Sequence, residues 1–595
     1  MCGISLIYSL DRTIDFDLSI KQINRELHHR GPDDCGIYLG ENFALGHTRL
    51  SIIDLSAAGH QPFVNQSEDL VIVYNGEIYN YLELKEELAD YSFKSKTDTE
   101  VILAAYKKWG SDCVKRFNGM FSFVIFDREY NVFFIARDQF GIKPLYYYHS
   151  GDTLIVSSEI KAIFASGIVK PQLARDNVYE YFLDNYVKEP NTIFQGISTI
   201  EPGMHATYDI HSNSLRKCRY WEFSFSPDGT RSEEYWAERL EAAFKRSIKL
   251  RQMSADVDVG VFLSGGMDSS VITALMKENV DVLKAYTIGF NEKEYDESDS
   301  ARTIAKNAGI EHTEVVLARD EFIREFDSII AKMDQPSIDG FNTYFVSKYA
   351  AKNVKVSLSG LGGDELFSGY RYFTLIPRIL KLKWLLNPFV AEFIPIKKLK
   401  LLASVPKTST DLFELFMSTF TRDELCLLFR DEIAVPQNNE VFHPNILSEL
   451  AIKNYMIPIL LRDADVMGMA NSMEVRFPFL DIEMFDIIAR IPPSLKLNKG
   501  ILHKVLAKYC PGKLFQRKKK GFVVPIKLWI KDVILANKVM VISVYRSIDM
   551  FNLSYIEKTL DQYLGSENPG FKQSNKAISL YVFAIWYDQL KKRYT

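Results

Sequence analysis

The residue pattern of this chain changes near residue 230, and that change restricts the folds the chain can adopt. Over roughly the first 210 residues, short runs of strand-forming residues dominate, with turn residues between them and few helical stretches. After residue 230 the strand patterns 257–263, 283–290 and 312–316 alternate with the helix patterns 269–278 and 298–308. Such alternation is typical of βαβ units and a parallel sheet.

The sequence therefore predicts two domains of different α/β architecture. A chain of 595 residues is too long for a single hydrophobic core. Residues 1–215 are predicted to form a layered domain, in which helices lie outside the strands. Residues 232–595 are predicted to form a doubly wound parallel sheet with a helical C-terminal part. The segment between them, 216–231, contains Pro227, Asp228 and Gly229 together and is predicted to be a linker.

Composition and charge argue against several classes of protein. The chain has 72 basic and 76 acidic side chains and a net charge of -4, which argues against a nucleic-acid-binding surface. Six scattered cysteines form no Cys-x-x-Cys pair, which argues against a disulfide framework or a zinc site and favours the reducing cytoplasm. No stretch reaches the roughly 18 apolar residues of a membrane span.

Cys2 directly follows the initiator methionine. Small residues at the second position permit removal of Met1, which would leave a thiol and an α-amine on one residue. An α-amine has a pKa of about 7.7–8.0, so its neutral form could act as the base for the adjacent thiol. The cysteine alone does not establish catalysis, because a cysteine at this position is usually an ordinary residue.

Four motifs after Cys2 supply the groups that amide hydrolysis needs. They are Arg-Gly-Pro-Asp at 30–33, Arg-Leu-Ser-Ile at 49–52, Asn-Gly-Glu-Ile-Tyr-Asn at 75–80 and Thr-Asp at 97–98. An asparagine side chain and a glycine amide can stabilise an oxyanion, each donor contributing about 3 kcal/mol. An arginine can bind the substrate carboxylate in a bidentate manner, and acidic side chains can accept hydrogen bonds from its ammonium.

Together with Cys2-Gly3-Ile4, these motifs resemble the class II glutamine amidotransferases, which are N-terminal-nucleophile (Ntn) hydrolases. The resemblance implies a four-layer αββα fold for the first domain. It also implies that Cys2 is the nucleophile and that Asn75 and Gly76 form the oxyanion hole. The implied glutamine-binding residues are Arg49, Ile52, Ile53, Asn75, Gly76, Glu77 and Asp98.

A second group of motifs lies in the βαβ region. Ser-Gly-Gly-Met-Asp-Ser at 264–269 joins a predicted strand to a helix, where backbone amides and the helix dipole can bind phosphate. It is not the GxxxxGK[ST] loop, because no lysine follows the glycines. A simple turn would explain the glycines but would not require Asp268, which a bound metal ion would explain.

The 264–269 motif resembles the pyrophosphate-binding loop of the PP-loop ATP pyrophosphatases, which adenylate a substrate and release pyrophosphate. The resemblance implies ATP and Mg²⁺ as cofactors, with the ion shared by Asp268 and by Asp364 of a second loop at 357–367. The implied ATP-binding residues are Leu263, Ser264, Gly265, Gly266, Asp268, Ser269, Ile288, Ser359 and Gly360. Leu263 and Ile288 would flank the adenine.

Two downstream motifs also match this family, at 472–481 and 517–522. Three consecutive lysines, 518–520, are usually a solvated surface. The resemblance instead places Lys519, within one position, over the acyl-adenylate, where a fixed cation would stabilise the transferring phosphoryl group.

The two halves in this order resemble the glutamine-hydrolysing asparagine synthetases over nearly the whole chain. The resemblance implies that ammonia from glutamine passes through an internal tunnel, near Met120, to a carboxylate activated as an acyl-adenylate. The implied substrates are glutamine, ATP and aspartate, without a nucleic-acid or membrane partner. Members of the family often form dimers, so a homodimer is also expected.

One residue departs from the family pattern and leaves the acceptor open. Well-studied asparagine synthetases carry a glutamate, tied to formation of the aspartyl-adenylate, where this chain has Leu361. A uronic acid of surface-polysaccharide synthesis is therefore an alternative to aspartate. An inactive scaffold or storage protein is a third hypothesis, against which the intact Cys2, Asn75, Asp268 and Asp364 argue.

Overall fold

The computed structural model describes residues 2–381, 408–430, 445–509 and 524–594. The strands of its first part are β1 (Gly3–Ser9), β2 (Asp34–Leu39), β3 (Phe43–Arg49), β4 (Phe63–Val64), β5 (Leu70–Ile78), β6 (Gly119–Asp127), β7 (Val132–Arg137), β8 (Tyr146–Ser150), β9 (Thr153–Ser157), β10 (Ile197–Thr199), β11 (Met204–Asp209) and β12 (Ser214–Arg219). They form two six-stranded antiparallel sheets, ordered β10-β8-β9-β1-β3-β2 and β12-β11-β7-β6-β5-β4.

Apolar side chains fill the space between these two sheets. Ile4 and Leu6 of β1 share a buried cluster with Val73 and Val124 of the second sheet, whereas Ile7 belongs to the cluster beneath a helix. Successive side chains of a strand point to opposite faces. The first sheet is therefore buried on both faces, which explains why β1 is apolar along most of its length.

Helices cover the outer faces of both sheets. Helix α1 (Phe16–Leu27) packs on the first sheet through residues such as Ile23. Helices α2 (Tyr81–Glu87) and α3 (Asp98–Trp109) cover the second sheet, α3 through residues such as Val101. Helix, sheet, sheet and helix give the four-layer αββα arrangement, which confirms the predicted fold of the first domain.

A five-stranded parallel sheet forms the centre of the second part. Its strands are β13 (Val259–Phe262), β14 (Lys284–Phe290), β15 (Glu311–Leu317), β16 (Val356–Leu358) and β17 (Glu474–Arg476). In the order β15-β14-β13-β16-β17, the chain moves outward from β13 and then returns to the other side of it. This doubly wound topology confirms the prediction and creates a switch point at the carboxyl ends of β13 and β16, where such sheets bind ligands.

Apart from three short 3₁₀ helices (Ala57–Gly59, Gly110–Arg116 and Leu497–Lys499), the remaining elements of the described residues are α-helical or π-helical, and most of them lie in the C-terminal part, as the sequence predicts. They are α4 (Ile160–Ala165), α5 (Arg175–Asp184), α6 (Glu233–Met253), α7 (Met267–Lys277), α8 (Ser298–Ala308), α9 (Arg319–Ile330), α10 (Phe341–Ala350), α11 (Gly363–Leu366), α12 (Tyr372–Lys381), α13 (Ser409–Met417), α14 (Arg422–Leu428), α15 (Ile446–Ala451), a π-helical turn (Ile452–Leu461), α16 (Arg462–Met469), α17 (Ile482–Ile488), α18 (Pro493–Lys496), α19 (Gly500–Leu506), α20 (Ile526–Trp529), α21 (Lys531–Arg546), α22 (Leu553–Gly565) and α23 (Phe571–Tyr594). None of the helices in the described ranges is long and apolar enough to cross a membrane.

The two parts of the chain share a buried interface. Tyr181 of α5 stacks on Phe583 of α23 with ring centroids 5.8 Å apart. Arg30, fully buried, donates a hydrogen bond of 2.8 Å to Asp465 of α16. Strand β12 includes residues 216–219 of the predicted linker, and residues 220–232 lie in no helix or strand. The domain boundaries stay a prediction.

Candidate functional site

Cys2 lies buried at the start of β1, held by its backbone. Its N–H donates to Asn75 Oδ1 at 2.9 Å, and its carbonyl accepts from Arg30 Nε at 3.0 Å. Burial raises the pKa of the Cys2 thiol above its ordinary value. The thiol therefore needs a base before it can act as a nucleophile, because only the thiolate is reactive.

Asn75 and Gly76 lie near the end of β5, beside Cys2. Because Asn75 Oδ1 accepts from Cys2, its amide nitrogen remains as a donor, and this nitrogen is buried without a hydrogen-bond partner among the described residues. A Cβ at position 76 would lie 2.2 Å from the carbonyl oxygen of Met120 on β6. Only glycine fits this close approach of the two strands, and Gly76 lines the pocket at Cys2.

A pocket at Cys2 brings the predicted glutamine-binding residues together. Its walls include Cys2, Arg49, Ile52, Ile53, Gly76, Glu77 and Asp98. Asn75 is not part of the wall, but its side chain accepts a hydrogen bond from Cys2, which is. The residues come from β1, the β3 end, the β5 end and the start of α3, so the αββα fold is what assembles them.

The Arg49 guanidinium is fixed by the loop that follows β3. It donates to the carbonyl oxygens of Ile53 at 3.2 Å, Asp54 at 2.6 Å and Ser56 at 3.1 Å. A Cβ at Gly59 would lie 1.9 Å from an Arg49 nitrogen, so the loop can close around the guanidinium only with glycine there. These carbonyls are neutral, which leaves the positive charge of Arg49 available for a substrate carboxylate.

Two buried carboxylates face the same pocket. Asp98 accepts from Tyr74 Oη at 2.7 Å and from the Ile78 N–H at 2.9 Å. Glu77 Oε2 accepts from Arg476 at 3.0 Å, while Glu77 Oε1 is buried without a hydrogen-bond partner in the described part of the chain. Burial, and then the charge of Asp98, raise the pKa of Glu77 well above its ordinary value. An ammonium group would satisfy this excess of negative charge.

The second site is a cavity of about 220 Å³ at the switch point of the parallel sheet. Seven predicted ATP-binding residues line it: Leu263, Ser264, Gly266, Asp268, Ser269, Ser359 and Gly360. The Ser264 N–H donates to Ser269 Oγ at 3.2 Å, which closes the loop between β13 and α7. Leu361 also lines this cavity.

Two of the predicted ATP-binding residues do not line the cavity. Gly265, with φ of +78°, backs onto α8, where a Cβ would lie 2.8 Å from Ser300 Cβ. Ile288 is buried in β14, and Tyr286 is the β14 residue in the cavity wall. Tyr286 and Ile288 are two residues apart in β14, so their side chains point to the same face of the sheet. Of the two, Tyr286 has the longer side chain, and it is the one that lines the cavity.

Asp268 and Asp364, the predicted magnesium ligands, converge on one lysine. Lys499 Nζ contacts Asp268 Oδ2 and lies 2.9 Å from Asp364 Oδ1. Glycines make room for both carboxylates, because a Cβ at Gly369 would lie 2.0 Å from Asp364 Oδ1 and a Cβ at Gly363 would lie 2.8 Å from Asp268 Oδ1. Among the described residues, no group of three or more His, Cys, Asp or Glu could hold a metal ion. The pair suits Mg²⁺, which uses few carboxylates together with phosphate oxygens and water.

Several site residues were not predicted from the sequence. Glu474 lines the pocket at Cys2, although it belongs to β17 of the parallel sheet. Asp339 and Asp463 line the nucleotide cavity. Glu474 lies within the motif at 472–481, whereas neither aspartate lies in a motif. The predicted Lys519 lies outside the described residues.

Comparisons with known proteins identify the family of each half of the chain. Residues 1–221 match the model of the glutamine amidotransferase domain, and residues 239–588 match that of asparagine synthase. The chain is 33% identical to "Asparagine synthetase [glutamine-hydrolyzing] 1" of Bacillus subtilis strain 168, over 100% of this chain and 98% of the relative. It is 37% identical to "Putative asparagine synthetase [glutamine-hydrolyzing] 2" of Methanocaldococcus jannaschii, over 67% of this chain and 81% of the relative.

Among solved structures, a glutamine phosphoribosylpyrophosphate amidotransferase from B. subtilis matches 60% of this chain and 75% of its own, with a TM-score of 0.29 and 15% identity. The family models cover both halves of the chain, and the B. subtilis relative matches it from end to end. The chain therefore belongs to the glutamine-hydrolysing asparagine synthetase family.

Proposed function

We propose that this protein is a glutamine-dependent asparagine synthetase. It hydrolyses glutamine at Cys2, activates aspartate with ATP as an acyl-adenylate and transfers the released ammonia to that adenylate. The observation that carries the proposal is the position of Arg476. Its guanidinium donates to Glu77 in the glutamine pocket at 3.0 Å, and its carbonyl accepts from the N–H of Ser359 in the nucleotide loop at 2.8 Å.

In the glutaminase site, Arg49 binds the α-carboxylate of glutamine, while Glu77 and Asp98 accept hydrogen bonds from its α-ammonium. With Met1 removed, the α-amine of Cys2 takes the thiol proton, and the thiolate attacks the side-chain amide carbon. The Asn75 amide nitrogen and the Gly76 N–H stabilise the oxyanion. The protonated α-amine of Cys2 gives that proton to the amide nitrogen, which leaves as ammonia, and water then hydrolyses the thioester to glutamate.

In the synthetase site, the loop at 264–269 binds the pyrophosphate end of ATP. The acceptor carboxylate attacks the α-phosphorus, and pyrophosphate leaves. Ammonia then attacks the carbonyl carbon of the adenylate, and AMP leaves. Asp268 and Asp364 would hold Mg²⁺, which neutralises charge on the phosphates when bound. Lys499 keeps the two aspartates together, and Lys519 stays a predicted contact of the adenylate.

The first experiment compares the wild-type protein with Cys2→Ala in the presence of ATP, Mg²⁺ and aspartate. The wild type should form asparagine from either glutamine or ammonium chloride. Cys2→Ala should lose the glutamine-dependent reaction and keep the ammonia-dependent one, since the synthetase cavity contains no part of Cys2. Absence of glutamate release from glutamine by the wild-type protein would falsify the proposal.

A homodimer and a cytoplasmic location remain proposals that rest on the family resemblance and on the cysteine pattern. Met120 is fully buried on β6, where it pairs with Glu77 of β5, and stays a predicted part of an ammonia path.

A further inference from the structure

Part of the nucleotide cavity is formed by two helical segments rather than by the nucleotide loops. One segment is the start of α10 with the residues before it, which contributes Asp339, Asn342 and Thr343. The other contributes Leu460 and Asp463. The two segments pack closely, since a Cβ at Gly340 would lie 3.0 Å from Asp463 Cβ. Because ATP occupies the loops, this wall is available to the acceptor.

The two carboxylates of this wall differ in their partners. Asp463 is satisfied on both oxygens, since Arg462 Nε donates to Oδ1 at 2.9 Å and Ser337 Oγ donates to Oδ2. Asp339 accepts only the backbone N–H of Gly340, at 2.7 Å, and no side chain in the described ranges donates to it. Asp339 is therefore the carboxylate of this wall that can still bind a ligand.

The surroundings of Asp339 favour a cationic ligand. Burial, and then the charge of Asp463, raise the pKa of Asp339 to about 6. The positive charge of Arg462 partly offsets this rise, but the Arg462 guanidinium donates its hydrogen bond to Asp463 and not to Asp339. At neutral pH Asp339 is therefore ionised and has no cationic hydrogen-bond donor among the described residues. An ammonium group beside it would supply that donor in a charge-assisted hydrogen bond.

We propose that Asp339 binds the α-ammonium group of the acceptor, so that the cavity selects an amino acid over a uronic acid. The inference rests on the proposed function and deepens it. A uronic acid offers hydroxyl donors but no positive charge to Asp339. Leu361, which lines the same cavity, then reflects a carboxylate supplied by the segment before α10 rather than by the nucleotide loop.

The test uses the full chain with ammonium chloride as nitrogen source, so that the glutaminase site is not involved. Pyrophosphate release is measured with aspartate, with succinate, which is aspartate without its amino group, and with glucuronate. Losing a charged hydrogen bond costs about 10- to 100-fold in an equilibrium constant. Wild-type protein should therefore prefer aspartate to succinate by at least that factor in kcat/KM.

Asp339→Asn should raise the KM for aspartate by about 10- to 100-fold and reduce the preference over succinate, with the KM for ATP unchanged. Asp339→Glu should recover part of the preference. Asp320→Asn is the matched control, since Asp320 is 93% exposed on α9, and it should change none of these values. Unchanged glutamine hydrolysis by Asp339→Asn shows that the chain has folded.

The possible results distinguish an error in the role of Asp339 from an error in the proposed function. Pyrophosphate release with glucuronate but not with aspartate would overturn the proposed function itself. Use of aspartate and succinate with equal kcat/KM by the wild-type protein would overturn only the role of Asp339. An unchanged KM for aspartate in Asp339→Asn would do the same.

Discussion

Asn75 illustrates how a single side chain prepares the glutaminase site for the charge that develops during catalysis. One end of its amide is held by the Cys2 N–H, and the other end is a buried donor without a partner among the described residues. A donor held in this way does not reorganise when the oxyanion forms, which is why such groups contribute so much to transition-state stability.

Replacing Asn75 tests that role. Asn75→Ala should lower kcat for glutamine hydrolysis about 100- to 1,000-fold, the usual effect of removing one oxyanion-hole donor. The KM for glutamine should change much less, because Arg49, Glu77 and Asp98 bind the substrate. Glutamate release gives both values, and ammonia-dependent asparagine formation should be retained as the internal control. An unchanged kcat would show that Asn75 does not stabilise the oxyanion.

Single residues also show which parts of the sites the sequence can predict. Arg49 and Asn75 stand in local motifs, so their roles follow from short stretches of sequence. Glu474 and Asp339 reach their pockets only through tertiary structure, from segments far from the motifs they join. Ile288 shows the opposite case. Its strand is predicted correctly, but Tyr286 of the same strand lines the cavity and Ile288 does not.

At the scale of elements, apolar periodicity predicts strands well where both faces are buried. The strands predicted at 257–263 and 283–290 correspond to β13 and β14, with bounds that differ by at most two residues. Strand β17 was not predicted, because three residues with charged Glu474 and Arg476 at its ends give no strand pattern. Both charges are buried in ion pairs, which only the assembled sheet and interface make favourable.

Helix α5 carries a carboxylate in an unfavourable position. Asp184 is its last residue, where the negative end of the helix dipole disfavours negative charge. Asp184 Oδ1 is buried and has no hydrogen-bond partner within the described ranges. Burial raises the pKa of Asp184 to about 7, with Lys188 opposing the shift. The charged carboxylate therefore lowers the stability of the fold.

This arrangement predicts a pH-dependent effect of Asp184→Asn. Between the ordinary value of 3.8 and about 7, the folded state binds more protons than the unfolded state. Wild-type stability should thus fall as pH rises through that range. Asp184→Asn lacks this penalty, so it should raise Tm by about 2 to 4 °C at pH 8 and by less at pH 5.

A matched control exists on the same helix. Asp176 is exposed in the first turn of α5, where the dipole favours negative charge. Relative to the wild-type protein, Asp176→Asn should therefore leave Tm unchanged or slightly lower. The difference should be the same at pH 5 and at pH 8. A gain in Tm for Asp184→Asn that is as large at pH 5 as at pH 8 would contradict the assignment.

At the scale of the whole molecule, the two sites share structural elements rather than being merely adjacent. Strand β17 pairs with β16, which leads into the nucleotide loop, and Glu474 of β17 lines the glutamine pocket. Arg476 is fully buried and bonds to Glu77, to Glu474 and to the carbonyl of Arg251. A fixed arrangement of this kind holds the ammonia-producing and ammonia-consuming sites in a constant relative position.

Nitrogen released at Cys2 is proposed to reach aspartate within the same protein molecule. The most direct measurement supplies glutamine with an isotopically labelled amide nitrogen, together with ATP, Mg²⁺, aspartate and an excess of unlabelled ammonium chloride, and determines the label in asparagine by mass spectrometry. Transfer within the protein predicts that the asparagine amide carries mainly the label from glutamine despite the excess of free ammonia. Asparagine labelled only in proportion to the mixed ammonia pool, or no asparagine at all, would contradict it.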